Sequence, residues 1–337
     1  PTVSIPLYQQ QLIGVQWDTV KIRQVNMTIR TVGHVAYNES QIASVNLKFS
    51  GWIEKLYVDY TGQFVRKGQP LFEVYSPELV STQEEYLQLL QSESRKAAAT
   101  EPGSRSSKNY GDARQLLETA RQRLLLWDIS ETEIERIIKR GKPATQLTFY
   151  SPITGYVIER NVVKGRHVKA GTDLYTIADL SKVWVHADIY EYELPLIRIG
   201  QKASVTLSYD PRAIYNGEVD YIYPTLQEKT RTARVRLVLP NPGLKLKPGM
   251  YADVEIAVDL GERLTVAETA VLNTGIRQLV FVDKGNGRFE PREIKLGSKA
   301  GHYYTVLEGL EPGEVVVKSG NFLIDAEAHV QGVLKSM

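Results

Sequence analysis

The sequence contains no cysteine, and methionine and histidine are scarce, with three and five copies among 337 residues. The absence of cysteine excludes disulfide bonds, thiolate metal sites and a cysteine nucleophile. No apolar run approaches the roughly 18 residues that a membrane-spanning helix requires. Basic and acidic side chains nearly balance, at 41 against 39. No basic block interleaves with aromatic residues, which argues against nucleic acid as a partner.

The composition is that of a folded protein. Hydrophobic residues make up 42% of the chain and charged residues 24%, as in ordinary soluble proteins. The length suffices for about two or three domains with cores of their own. The chain begins at Pro1 without a basic-then-apolar leader, so we expect a mature or trimmed chain whose export signal lies outside it.

One passage punctuated by glycines occurs twice, at residues 50–79 and 150–180. Three glycines and a leucine are separated by 11, 6 and 3 residues in the first copy and by 10, 6 and 3 in the second. Apolar and β-branched residues lie between the glycines, so each copy predicts short strands joined by turns that need positive φ. Because one such unit cannot bury its apolar face alone, we expect the two copies to pack face to face as one domain. The predicted turn glycines are Gly51, Gly62, Gly68, Gly155, Gly165 and Gly171.

The tripeptide Tyr-Ser-Pro closes the first copy at 75–77 and opens the second at 150–152, so the residues between them form an insertion at a hairpin. Two half-motifs joined in this way resemble the lipoyl/biotinyl carrier domain, whose members hold their cofactor on a lysine at the joining hairpin. This chain has no lysine at the joining point and carries about seventy inserted residues there. The missing lysine and the long insertion argue against a cofactor-carrying arm.

The insertion has helical periodicity. Ser76 and Pro77 predict the N-cap and the first residue of a helix of about 20 residues. A polar connection is predicted over 100–112, followed by a second amphipathic helix. Ser130 and Glu133 then predict a capping box that opens a third, shorter helix. We therefore predict a helical hairpin with one added helix.

Both flanks of the repeat are β-rich. Residues 182–257 alternate apolar and polar side chains over five or six short strands, with one short helix at 190–200, which is typical of a small barrel. Residues 25–49 add two further strands to it. The segment from 264 onward predicts a second β block, in which residues 285–287, Gly-Asn-Gly, form a hairpin turn. The predicted fold is mainly β with a helical hairpin insertion.

Four phrases carry a more specific resemblance: GWIEKLYVDYTGQFVRKGQPLFEVYSPELVSTQEEYL, LKPGMYADVEI, GLEPGEVVV and GNFLIDAE. They are similar to the periplasmic adaptors, or membrane fusion proteins, of tripartite efflux pumps, and most of all to the heavy-metal-exporting branch that includes the copper/silver efflux adaptors. The resemblance implies an elongated multidomain rod. Its parts are a membrane-proximal β domain at 1–20 and 258–337, a β-barrel at 21–47 and 182–257, a lipoyl-like domain at 48–77 and 148–181, and a helical hairpin at 78–147.

The same resemblance implies a non-enzymatic role in the periplasm. The adaptor would link an inner-membrane, proton-driven resistance-nodulation-division (RND) transporter to an outer-membrane channel for the export of heavy-metal cations. It would be attached to the inner membrane through its transporter or through an N-terminal anchor outside this chain, with about six copies around the pump. Two alternatives remain open: a metal-binding chaperone that delivers ions to the pump, and an adaptor of a drug-type pump. The hairpin tip would contact the channel through Ser104, Arg105, Ser106, Lys108 and Asn109.

Candidate metal ligands are few, and no resident cofactor is expected. The histidines form no HExxH motif or cluster along the sequence. His186 and Asp188 alternate on one predicted strand and therefore share a face, and Met27 lies in the region where copper/silver relatives carry metal ligands. Thioether sulfur suits Cu(I) and Ag(I), and imidazole also suits Zn(II). These three residues are the candidates for binding a transient metal ion.

Overall fold

The computed structural model describes residues 2–99, 107–275 and 277–330. The described residues form five α-helices, which are α1 Leu7–Ile13, α2 Pro77–Ala99, α3 Ser107–Leu126, α4 Glu131–Arg140 and α5 Asn321–Val330.

Strands make up most of the remaining structure. In chain order they are β1 Val3–Ser4, β2 Gln16–Thr19, β3 Lys21–Tyr37, β4 Ile42–Asn46, β5 Gly51–Leu56, β6 Phe64–Val65, β7 Pro70–Tyr75, β8 Gln146–Tyr150, β9 Gly155–Arg160, β10 His167–Val168, β11 Asp173–Ala178, β12 Lys182–Tyr190, β13 Lys202–Leu207, β14 Asp210–Gln227, β15 Thr232–Pro240, β16 Tyr251–Ala267, β17 Leu272–Asn273, β18 Gln278–Asp283, β19 Arg288–Glu293, β20 Lys295–Ala300, β21 Tyr303–Glu308 and β22 Val315–Ser319.

The chain divides into two compact units. The first contains the chain up to His34, Val185–Val238 and the chain from Tyr251 onward. The second contains Val35–Trp184 and Leu239–Met250. The fold is mainly β with multiple sheets and a helical insertion, as predicted.

The second unit holds a sandwich of two four-stranded sheets, ordered β10-β5-β7-β8 and β4-β11-β9-β6. Each sheet contains strands from both sequence copies, because β6 of the first copy pairs with β9 and β10 of the second pairs with β5. The exchange is symmetric: the amide of Gly62 donates to the Val157 carbonyl at 2.7 Å, and that of Gly165 donates to the Ile53 carbonyl at 2.7 Å. The two copies therefore form one domain, as predicted, with Val58 buried in its core.

The six predicted turn glycines fall into two groups. Gly62, Gly68, Gly165 and Gly171 have φ between 79° and 83°, which confirms the predicted turns. The turn prediction was wrong for Gly51 and Gly155, which begin strands β5 and β9. A Cβ atom at Gly155 would lie 2.3 Å from the Ala178 carbonyl oxygen, and one at Gly51 would lie 2.6 Å from that of Tyr75. Here glycine is required by the close approach of a neighbouring strand and not by backbone conformation.

The first and third helices of the insertion begin at the predicted caps. The amide of Leu79 donates to the Ser76 hydroxyl at 3.3 Å, and that of Glu133 donates to the Ser130 hydroxyl at 3.2 Å. α4 ends at Gly141 in the left-handed conformation, where glycine carries no Cβ penalty.

The predicted polar connection over 100–112 is too long. α3 already begins at Ser107, so the last part of the polar segment is helical. The glycine and polar residues of this segment are only a weak signal against a helix. A single interior glycine such as Gly111 costs about 1 kcal/mol of helix stability, which packing readily offsets.

In the first unit, six strands close into a barrel in the order β13-β14-β15-β12-β3-β16, since β13 also pairs with β16. Two expectations about the barrel were wrong. β4 pairs with β11 in the sandwich, so residues 42–46 do not belong to the barrel; their apolar pattern fits either sheet. The helix expected near 190–200 is a single 3-10 turn, Leu194–Leu196, because Pro195 lacks the amide that a longer helix would use.

A second sheet of the first unit combines both ends of the chain, in the order β1-β19-β18-β22-β2 with β17 added to β18. One face of this sheet packs against Ile324 and Ala328 of α5. The predicted hairpin turn is confirmed between β18 and β19, where Gly285, Asn286 and Gly287 all have positive φ.

Candidate functional site

The helical hairpin is anchored firmly at its base. Leu79, Leu87 and Leu124 are buried in the same continuous core as the sandwich. The fully buried amide of Gln83 accepts a hydrogen bond from the backbone of Ala144 at 2.7 Å and donates one to its carbonyl at 3.3 Å. Both polar groups of a buried amide are thus satisfied, which fixes α2 to the chain that returns to the sandwich.

Ion pairs reinforce this base. Lys48 contacts Asp128 at 2.8 Å, and Arg123 contacts Glu85 of α2 at 3.3 Å. Because these side chains are substantially exposed, each pair contributes only about 0.2–1 kcal/mol. Burial and the Gln83 contacts therefore dominate the attachment. The anchoring role of Gln83 could not be predicted from the sequence. Its only signal there is that a polar residue lies on the apolar face of the predicted helix.

Two of the five predicted channel-contacting residues lie in a described helix. Lys108 and Asn109 fall in the first turn of α3. Ser104, Arg105 and Ser106 lie outside the described residues. The role of these five residues stays a prediction.

The three candidate metal ligands have separate surroundings. Met27 is half-buried on β3, opposite Val258. His186 is buried on β12. The half-buried Asp188, two residues further along, lines an open groove with Asp253 and Glu255. Across the described ranges, no group of three or more His, Asp or Glu side chains is placed to hold a metal ion.

His186 belongs to an aromatic cluster in the barrel. Its ring meets the ring of His34 edge-on at 5.2 Å and that of Tyr223 at 5.8 Å. Burial, together with the smaller effects of Arg234, His34 and Arg236, lowers the pKa of His186 to about 4. The imidazole is therefore neutral at neutral pH, and the two arginines disfavour a cation beside it.

This burial makes the stability of the chain dependent on pH. The unfolded chain binds a proton at His186 below its ordinary pKa near 6.5, whereas the folded chain does so only near 4. Stability should therefore fall as the pH drops from about 6.5 to 4, by roughly 3 kcal/mol from this residue. The free energy of urea unfolding of His186→Gln should show a correspondingly shallower fall across that range. The exposed His302→Gln variant is the control and should follow the parent; equal slopes for all three proteins would contradict the assignment.

No described helix is both long and apolar enough to cross a membrane. The interleaved sandwich with a helical hairpin at its joining turn, together with the barrel, defines the fold of a membrane fusion adaptor. A chimera of MacA and MexA that contains the Pseudomonas aeruginosa MexA α-hairpin shares this fold, with a TM-score of 0.58, 22% identity, and coverage of 88% of this chain and 98% of the chimera.

Family models match three consecutive regions. Residues 42–178 match the CusB barrel-sandwich hybrid domain, 182–259 the CusB-like β-barrel domain, and 264–325 the CzcB C-terminal circularly permuted SH3-like domain. The cation efflux system protein CusB of Escherichia coli K12 is 30% identical over 99% of this chain and 78% of its own length. The putative membrane fusion protein SilB of Salmonella typhimurium is 28% identical over 99% and 74%. The chain belongs to the CusB-like family of membrane fusion adaptors of heavy-metal RND efflux systems.

Proposed function

We propose that this chain is a periplasmic adaptor that links an inner-membrane RND transporter to an outer-membrane channel for the export of heavy-metal cations. The observation that carries the proposal is the match along nearly the whole chain to CusB, which is named as a cation efflux system protein. In this role the chain holds partners in position and catalyses no reaction. The division into membrane-proximal, barrel, lipoyl-like and hairpin parts belongs to the same proposal, at the boundaries given above except that residues 42–46 belong to the lipoyl-like part.

The structure supports a positioning role through the hairpin. α2 has 23 residues and α3 has 20, so at about 1.5 Å per residue the pair extends roughly 30 Å from the sandwich. The buried base fixes the direction of the hairpin, and the sequence between α2 and α3 is rich in polar residues, as is common in segments that bind partners. A rigid arm of this length has no use within the sandwich itself, which favours contact with the channel at the tip.

The test is metal resistance in a host that lacks its own heavy-metal exporter. Cells that produce the cognate transporter, the channel and this chain should grow at metal concentrations that stop cells without the chain. Copper, silver, zinc and cobalt salts tested in parallel identify the exported ion. The proposal would be contradicted if the chain protected cells from a drug and from none of the metals. Equal growth with and without the chain would also contradict it.

A further inference from the structure

A cavity of about 350 Å³ lies beside the base of the helical hairpin, within the second unit. Its walls come from strands β4 and β8 and from the start of α4. These two strands are the last strands of the two sandwich sheets, so the cavity lies between two sheet edges. Its volume is that of an ordinary small-molecule site.

The floor of the cavity is apolar. Val45, Ile129 and Leu147 line it and are buried. Phe149 adds an aromatic ring, which stacks on the ring of Phe72 at 5.3 Å with an angle of 5° between their planes. One side of a bound molecule would therefore rest against a well-packed apolar surface.

The rim of the cavity is polar, but its charges are balanced. Among the described residues, the charged side chains that line it are Asp128 and Glu133. Asp128 contacts Lys48 at 2.8 Å, and Glu133 contacts Arg136 at 2.8 Å, so each carboxylate already has a cationic partner. The other polar lining residues carry hydroxyl or amide groups and are Ser44, Asn46, Ser130, Thr148 and Tyr150. An ion gains little from such a rim, whereas a molecule with many hydroxyl groups finds both donors and acceptors there.

A row of aromatic side chains begins at β8 and crosses the outer face of its sheet. Tyr75 pairs with Gln146 of β8, Trp52 pairs with Tyr75, and His167 pairs with Trp52. Trp52 is 40% exposed and Tyr75 is 36% exposed. The ring of Trp52 lies 4.5 Å from that of His167 and 6.1 Å from that of Tyr75. Since neighbouring strands are about 4.8 Å apart, the row is about 14 Å long.

The cavity and the row share one kind of chemistry. The face of an aromatic ring carries partial negative charge, and the C–H groups on the face of a sugar ring, which carry partial positive charge, pack against it. The hydroxyl groups at the edge of the sugar exchange hydrogen bonds with hydroxyl, amide and carboxylate side chains. Because the aromatic row extends well beyond the cavity, the pair of features suits a chain of sugars better than a single one.

We propose that the cavity and the aromatic row bind an uncharged polysaccharide chain, with one sugar in the cavity beside Tyr150 and the following sugars on Tyr75 and Trp52. The inference rests on the proposed adaptor function, which places the chain in the periplasm. The polysaccharide of that compartment is peptidoglycan, whose glycan strands consist of N-acetylated pyranose rings. The site would hold the adaptor against the cell wall that its assembly has to cross.

Binding is tested with chitohexaose, a soluble chain of six N-acetylglucosamine units, and with purified peptidoglycan. Calorimetric titration of the purified chain with chitohexaose should show saturable binding. Tryptophan emission should shift to shorter wavelength as a sugar covers Trp52. The chain should also sediment with peptidoglycan, and chitohexaose should compete with this association.

Substitutions of exposed rings locate the site. Trp52→Ala, Tyr75→Ala and Tyr150→Ala should each weaken chitohexaose binding about tenfold, as the loss of one stacking ring does on other aromatic platforms. Trp52→Phe keeps a ring and should retain most of the binding. The matched control is Trp17→Ala, which removes a 46% exposed tryptophan from the other unit and should bind like the parent. All four side chains are at least 36% exposed, so the substitutions leave the core intact.

Equal binding by the parent and Trp52→Ala chains would overturn the proposal, as would the absence of binding to both chitohexaose and peptidoglycan. Equally tight binding of heparin, a highly charged polysaccharide, would overturn the assignment of an uncharged ligand. The assay uses the purified chain without transporter or channel. Its failure therefore leaves the resistance test of the adaptor function standing, and failure of the resistance test leaves the sugar-binding result standing.

Discussion

Replacing residues 100–106 with a Gly-Ser linker of the same length should abolish metal resistance in cells and leave the thermal unfolding midpoint of the chain nearly unchanged. In the sequence, the segment lies between the last residue of α2 and the first residue of α3. The buried hairpin side chains, such as Leu79 and Leu124, lie toward the base, and a polar connection at an element tip contributes little to stability. Its loss therefore removes the channel contact and not the fold.

Two measurements separate these effects. Growth at rising metal concentration reports the function, and circular dichroism during heating reports the fold. The matched control replaces Lys139 and Arg140 with serine in the exposed last turn of α4, which should preserve resistance. Full resistance of the linker variant would show that the tip is not the docking element.

Gly155→Ala should destabilise the sandwich by about 3 kcal/mol, the upper end of the usual cost of overpacking. The added methyl group would lie 2.3 Å from the Ala178 carbonyl oxygen and 2.7 Å from its carbonyl carbon. β9 and β11 would have to separate, and their ladder holds the second sheet together. The midpoint of urea unfolding, followed by tryptophan fluorescence, measures the loss.

Gly62→Ala is the matched control for this substitution. Gly62 has φ +83°, and no heavy atom lies within 4 Å of the added Cβ atom. Its cost is therefore backbone strain alone, about 1–2 kcal/mol. Equal destabilisation by the two substitutions would contradict the close-approach explanation of Gly155.

The parts of the fold that local chemistry determines could be predicted from the sequence. The serines before α2 and α4 were identified as caps because capping needs only a short polar side chain next to a helical pattern. The repeated spacing of Gly62 and Gly165 likewise revealed two equivalent turns, and from them the paired sandwich. These signals lie within a few residues of the structure that they specify.

The parts that depend on distant partners could not be predicted. β4 has the alternating pattern of a barrel strand, and only its pairing with β11 assigns it to the sandwich. Gly155 carries no sign of the strand that crowds it. The groove residues Asp188 and Asp253 lie on strands that are far apart in sequence and adjacent only after the barrel closes, so the alternation of apolar and polar residues predicts that each is exposed but not that the two residues lie on the same surface.

Co-purification from cells that contain all three components tests the bridging role most directly. After mild chemical cross-linking of the cell envelope, a tagged copy of this chain should carry both the inner-membrane transporter and the outer-membrane channel. The chain with residues 100–106 replaced should carry the transporter and lose the channel. Recovery of the channel with the linker variant at the parent level, or recovery of neither partner with the parent chain, would contradict the account.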